Sequence, residues 1–281
     1  VPFWTRKQPP PPDEPQLTPS EALLLDQPSY TFLKWANEGY LRRILPDLYE
    51  LRGITQLPAH RDDAFVHTLK VVDAIEPTPV RRWAALLHDI AKAPTFIETP
   101  EGRSRFFEHD RIGAEMVPEI MLDVGESPEL AEQVHRLVRL HMRPISYNSE
   151  WSDAAVRRLM EEAEEGRGEE GWHDLLALAR ADLRGYLPEP IDRGLWVLAQ
   201  LEDHRQRLLD QDQRGAELEA RQPRSPLDGH EILSLAEREP GPWVAAVKDY
   251  LTHEVRAGRL MREDKARARA LAHEWLQEHH S

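Results

Sequence analysis

Residues Val80–Lys92 read VRRWAALLHDIAK. Between Trp83 and Leu87 this segment is apolar nearly all round, the pattern of a helix buried on every side. Pro77 and Pro79 end one helix and open the next, and Pro94 ends that one. His88 and Asp89 therefore fall directly inside a buried helix. A buried carboxylate is costly unless it is paired or bound to a cation. The segment predicts both a helical core and a polar group that needs a partner there.

Other segments place polar groups on buried stripes in the same way. In Gly171–Tyr186 (GWHDLLALARADLRGY) the stripe runs Leu175, Leu178, Ala179, Asp182 and Tyr186, so Asp182 points inward. In Pro128–Met142 the face of Leu130, Val134, Leu137 and Val138 continues to His141, while His135 lies off it. His67 shares a stripe with Ala64, Val71 and Ala74. A single histidine on an apolar stripe is more often a satisfied core residue, and a lone inward aspartate an ion-pair partner or cap. Four helices each offering an inward polar group call for one common explanation. A shared metal site supplies it, because imidazole and carboxylate are suitable ligands and facing helices of a bundle can present them.

The chain has 281 residues, of which 40% are hydrophobic and 31% charged, enough for one large domain or two smaller ones. No apolar run reaches the length of a membrane span, and the start VPFWTRKQPPPP lacks the apolar core of a secretory signal. There are no cysteines, which excludes disulfides, thiolate metal sites and a cysteine nucleophile, and fits a cytoplasmic protein. A net charge of −14 argues against non-specific nucleic-acid binding. Residues 1–19 read as a proline-rich tail, 20–210 as the main domain, 211–229 as a polar linker and 230–281 as a smaller helical tail domain. Pro94–Asp110 reads as a loop or small hairpin, and Glu161–Gly171 as a solvated acidic turn. Ser152 and Asp153 are good N-caps, and Pro128 suits a first helical turn. Alternating β-branched residues are scarce, so the expected fold is all-α.

His67 in FVHTLKV, the pair His88-Asp89 in WAALLHDIAK and the distant Asp182 in RADLRGY together resemble the H…HD…D pattern of the HD superfamily of metal-dependent phosphohydrolases. From about Leu33 to Ala272 the chain resembles the C-terminal part of bacterial tRNA nucleotidyltransferases and poly(A) polymerases. The matching segments include GYLRRILPDLYELRGITQ, FFEHDRIGAEM, LVRLHMRP, PLDGHEILSL and EPGPWVAAVKDYL. The resemblance implies an HD-domain helical bundle followed by a helical tail domain. The nucleotidyltransferase head of that family carries a Gly-Ser step followed by an Asp-x-Asp pair. This sequence has no Gly-Ser dipeptide, and its one Asp-x-Asp, Asp210-Gln-Asp212, lies in the polar linker. Nucleotide addition is therefore not expected of it.

The resemblance further implies that His67, His88, Asp89 and Asp182 hold a first metal. His109 and His141 match positions used for a second, with Asp89 bridging the two. One or two divalent ions (Mn, Fe, Ni, Co, Zn or Mg) would activate water and stabilise charge on a phosphoryl group. Lys92, three residues after Asp89, and Arg143, close to His141, are the candidate phosphate contacts. Each has a plain alternative: Lys92 as a solvated helix-end cation favoured by the dipole, Arg143 as a surface residue. The expected substrate is a phosphoester of a nucleotide or RNA end, of the 2′,3′-cyclic phosphodiesterase, nucleotidase or phosphatase type. The alternative is a non-catalytic tRNA- or partner-binding module, with tRNA met through the C-terminal tail.

Overall fold

The computed structural model describes residues 16–56, 62–184, 188–236 and 239–279. The chain divides into two compact units after Leu208. The first unit opens with α1 (Pro19–Leu23), α2 (Pro28–Glu38), α3 (Leu41–Ile44), α4 (Pro46–Glu50), α5 (Ala64–Ala74) and α6 (Pro79–Leu87). A 3-10 turn (Ile90–Lys92) and a hairpin of β1 (Phe96–Glu98) with β2 (Ser104–Phe106) follow. Then come α7 (His109–Asp123), α8 (Pro128–Leu140), α9 (Met142–Ile145), α10 (Asp153–Glu164) and α11 (Glu169–Leu183). Helix α12 (Pro188–Arg221) runs from the first unit into the second, which adds α13 (Gly229–Leu233), α14 (Pro242–Arg256) and α15 (Lys265–Glu278). The fold is all-α apart from the hairpin, whose strands pair antiparallel with Phe96 opposite Phe106.

Local chemistry sets the helix starts. Asp63 accepts a hydrogen bond from the Val66 amide, Thr78 from Arg81, Ser127 from Leu130 and Ser152 from Ala155. Pro79 and Pro128 stand in the first turn of their helices, where the missing N–H costs nothing. Helix α6 is buried from Val80 to Leu87, with its apolar run Trp83–Leu87 enclosed on every side. It packs against α5, α8 and α11; α7 lies on α8 and on the 3-10 turn. Among the described residues no helix is long and apolar enough to cross a membrane.

Several expectations are corrected. The helix opened by Pro79 stops at Leu87, not at Pro94; His88 and Asp89 form the corner before the 3-10 turn. The acidic stretch Glu161–Gly171 is mostly helical: only 165–168 form the turn, with Gly166 and Gly168 at positive φ. Its Arg167 reaches inward to the buried Asp174 at 2.8 Å, so the stretch is anchored rather than merely solvated. Residues 211–221 of the expected linker continue as α12, because Gln, Arg, Glu and Ala favour the helix and the single Gly215 costs only about 1 kcal/mol. Asp210 and Asp212 thus stand on a helix. Pro19, assigned to the tail, opens α1 behind a Thr18 cap; residues 1–15 and Tyr186 lie outside the described residues. The second unit has its own core, built from Leu227, Ile232, Val247, Leu251, Leu271 and Leu276 among others.

Candidate metal centre

Six elements bring six side chains together. His67 stands mid-way along α5, and Asp182 in the last turn of α11. His88 closes α6, Asp89 opens the 3-10 turn, His109 is the first residue of α7, and His141 closes α8. All six are buried, none more than 8% exposed. His109, assigned to a loop-like stretch in the sequence, is instead held inward where the hairpin meets α7.

Asp89 lies between two groups. Its Oδ2 is 3.1 Å from His88 Nε2 and 3.6 Å from His67 Nε2. Its Oδ1 is 3.5 Å from His109 Nε2 and 4.0 Å from His141 Nε2. Asp182 Oδ1 joins the first group, 2.9 Å from His67 Nε2 and 3.5 Å from His88 Nε2. His67, His88 and Asp89 can meet at one cation, as can Asp89, His109 and His141, since the ligand atoms of each set lie within 4.8 Å of one another.

The histidine rings are oriented by the backbone. Nδ1 of His88, His109 and His141 lies 2.9, 2.9 and 2.7 Å from the carbonyls of Ala85, Phe106 and Val138, each three residues earlier. A carbonyl only accepts, so each Nδ1 carries the proton and donates it. In the neutral ring this leaves the Nε2 lone pair free to face Asp89, the arrangement that fixes the tautomer of metal-bound imidazoles.

The family comparison spans five of these six residues, all but His67. The family model described as HD domain matches residues 80–273, more than half of the chain. The chain belongs to the HD domain family. This HD protein is 31% identical over 252 residues to the A-adding tRNA nucleotidyltransferase of Deinococcus radiodurans, covering 85% of this chain and 53% of that protein. It is 30% identical over 240 residues to the CC-adding tRNA nucleotidyltransferase of Thermus thermophilus, covering 82% and 49%. It is 28% identical over 174 residues to the multifunctional CCA protein of Polaromonas naphthalenivorans, covering 60% and 40%. The chain thus spans about half the length of the first two relatives.

The chemistry of the HD cluster fits a cation. Nε2 of His109 and Nε2 of His141 are buried without a hydrogen-bond partner among the described residues. Unmet buried polar atoms are rare in native folds and mark a missing partner. Burial opposes charge on His88, but Asp89 and Asp182 overcome it and raise its pKa to about 10. Burial opposes ionisation of Asp89 too, yet His88 and Lys92 hold its carboxyl well below the usual range. For Asp182, His67 and His88 likewise outweigh burial and lower the pKa. His141 is pushed down to about 4 by burial, then by His88 and His109. The cluster therefore keeps two carboxylates ionised and attracts positive charge between them.

Lys92 is buried at 8% exposure, not solvated, with Nζ 2.6 Å from Asp89 Oδ2 and 5.3 Å from the centroid of Phe106. Arg143 is half-buried, and its guanidinium lies over Trp151, 5.3 Å from the ring centroid. Sequence periodicity missed several buried polar groups, Gln56, Asp174 and His204 among them. Gln56 accepts a hydrogen bond from Lys92 Nζ. Asp174 pairs with Arg81 at 2.7 Å. His204 bonds Asp153 at 2.9 Å and Tyr147 at 3.1 Å. Gln56 follows an irregular stretch and has no helical stripe to reveal it. Asp174 sits one position before Leu175 on α11, where an inward turn was legible from the neighbouring Leu175 and Leu178.

Proposed function

We propose that this HD protein hydrolyses a phosphate ester of a nucleotide or of an RNA end. The observation that carries the reading is the convergence of four histidines and two aspartates, all buried, around the divided carboxylate of Asp89. His67, His88, Asp89 and Asp182 would hold one divalent ion and Asp89, His109 and His141 a second. Bound there, the ions would supply Lewis-acid activation of water and of phosphoryl oxygens. Nitrogen and oxygen donors suit Mn, Fe, Ni, Co, Zn or Mg.

The chain's own residues have distinct tasks. The backbone carbonyls of Ala85, Phe106 and Val138 lock three imidazoles in place, so little ordering remains when ligands are taken up. Lys92 presents a buried positive charge beside the centre and would hold a phosphate oxygen. Arg143 would add a second contact at the rim. Burial excludes bulk water and strengthens each of these interactions.

The names of the relatives support tRNA as the source of the ester, met in part through the second unit. They also favour one alternative, a non-catalytic tRNA-binding module. Elemental analysis of the purified protein, with Mn- and Ni-supplemented assays, separates the two readings. The substrates are 2′,3′-cyclic nucleotides, 2′- and 5′-nucleotides and bis(p-nitrophenyl) phosphate. Bound metal with turnover lost in Asp89→Ala is the expected result. A folded protein with neither metal nor turnover, yet with tRNA affinity, would establish the binding module.

A further inference from the structure

Gln56 is 4% exposed and follows the irregular stretch after α4. Its Oε1 accepts a hydrogen bond from Lys92 Nζ. A lysine ammonium has three donors and no acceptor, so the oxygen of the amide must be the atom that faces it. That fixes the orientation of the carboxamide and turns Nε2 away from the ammonium. Nε2 is buried and has no hydrogen-bond partner among the described residues. The wall beside Lys92 and Asp89 thus contains an oriented, unmet N–H donor.

The choice of residue type is informative. A glutamate at this position would pair with Lys92 more strongly, but it would neutralise the lysine and repel an anion. A leucine would fill the space and hold nothing. An amide gives Lys92 an acceptor without adding negative charge and leaves N–H groups for an acceptor that arrives from outside. An oxyanion held by Lys92 is such an acceptor, and hydrogen bonds to charged groups are the strong ones.

We propose that Gln56 is a substrate-binding residue of the centre. Its Oε1 fixes Lys92, and its Nε2–H donates to an anionic oxygen of the bound phosphoester. This inference rests on the phosphoester reading of the site. Lys92 and Gln56 form a two-part oxyanion cradle: the lysine supplies the charge, and the amide supplies a directed donor and the lysine's position.

The test measures binding of inorganic phosphate, separately from turnover. The full chain loaded with Mn is titrated calorimetrically with phosphate as wild type, Gln56→Glu, Gln56→Leu, Lys92→Ala and the double variant Gln56→Leu/Lys92→Ala. Metal content and thermal melting are recorded for each. Gln56→Leu and Gln56→Glu are expected to weaken phosphate binding at least about tenfold, the scale of a lost charge-assisted hydrogen bond, with metal content unchanged. The double variant is expected to bind within about threefold of the weaker single variant, because the two residues act as one unit. The glutamate variant has the same shape and keeps the test readable if the leucine variant fails to fold. Phosphate affinity within about twofold of wild type in both Gln56 variants overturns the inference, as does a metal-loaded wild type that binds no phosphate. Fully additive losses overturn the coupling to Lys92. Turnover of the phosphoester panel with phosphate binding indifferent to Gln56 removes this inference and leaves the hydrolase. Gln56-dependent phosphate binding without any turnover removes the hydrolase instead.

Discussion

Removing the Asp89 carboxylate separates an electrostatic centre from a passive core. Asp89 Oδ2 lies 2.6 Å from Lys92 Nζ and 3.1 Å from His88 Nε2, and Asp89 is 1% exposed. Breaking a buried ion pair by deleting one partner costs about 3–5 kcal/mol, because the other charge remains buried. His88 relieves part of that cost by releasing its proton once Asp89 is gone; among the described residues Lys92 keeps Gln56 and the Phe106 ring. The lower end, about 3 kcal/mol, is therefore expected for Asp89→Ala. For a unit of this size each kcal/mol moves the melting temperature by about 2–4 °C, which gives a drop of roughly 6–12 °C in the presence of a chelator. Adding Mn at about a hundredfold over its Kd should stabilise the wild type by a further ~2.7 kcal/mol. Asp89 belongs to both ligand sets, so the variant should gain almost none of this. The gap between the two proteins should widen on loading. The assay is a thermal melt of each protein with chelator and with Mn. A variant that melts within about 1 °C of wild type without metal, or that gains as much from Mn as wild type does, refutes the reasoning.

The two ligand sets should come apart by mutation. His141→Ala, which touches only the set on Asp89 Oδ1, is expected to lower the Mn content measured by elemental analysis by about one ion per chain, whereas His67→Ala should deplete the other set. Lys92→Ala should raise KM for a phosphoester about tenfold, while Arg143→Ala, whose guanidinium is engaged by Trp151, should change it by less than about threefold; steady-state kinetics with equal losses in both would place Arg143 in the cradle after all. Gly171→Ala should destabilise the first unit by about 1–3 kcal/mol, because a Cβ there would overlap the carbonyl oxygen of Ala163 and stand 3.0 Å from its carbon. An unchanged melting curve would show that α10 and α11 separate freely.

The sequence revealed those parts of the centre that obey the helical repeat. Asp182 continues the stripe of Leu175, Leu178 and Ala179, and the structure buries all four. His141 continues the face of Val134, Leu137 and Val138, and His67 that of Ala64 and Val71, with the same result. Periodicity reports which way a side chain points while a helix lasts, and it says nothing where the helix stops. That is why His109 read as a loop residue. Its helix begins at His109 itself, behind Glu108 at φ 56°, which makes no side-chain cap. No capping residue announces the start, and the αL turn that aims the histidine inward is carried by a residue seldom found there. Gln56 was hidden for a related reason, since an irregular stretch has no repeat to break. The ends of α6 and α8 show why the centre lies where periodicity fails. A helix leaves its last carbonyls unpaired, and His88 and His141 use those of Ala85 and Val138 to hold their rings. The same bond that satisfies the helix end fixes the free nitrogen toward Asp89. Helix termination and ligand orientation are thus a single structural event in this fold, and an insertion that lengthened α6 or α8 by one residue would disorient the centre before it disturbed the core.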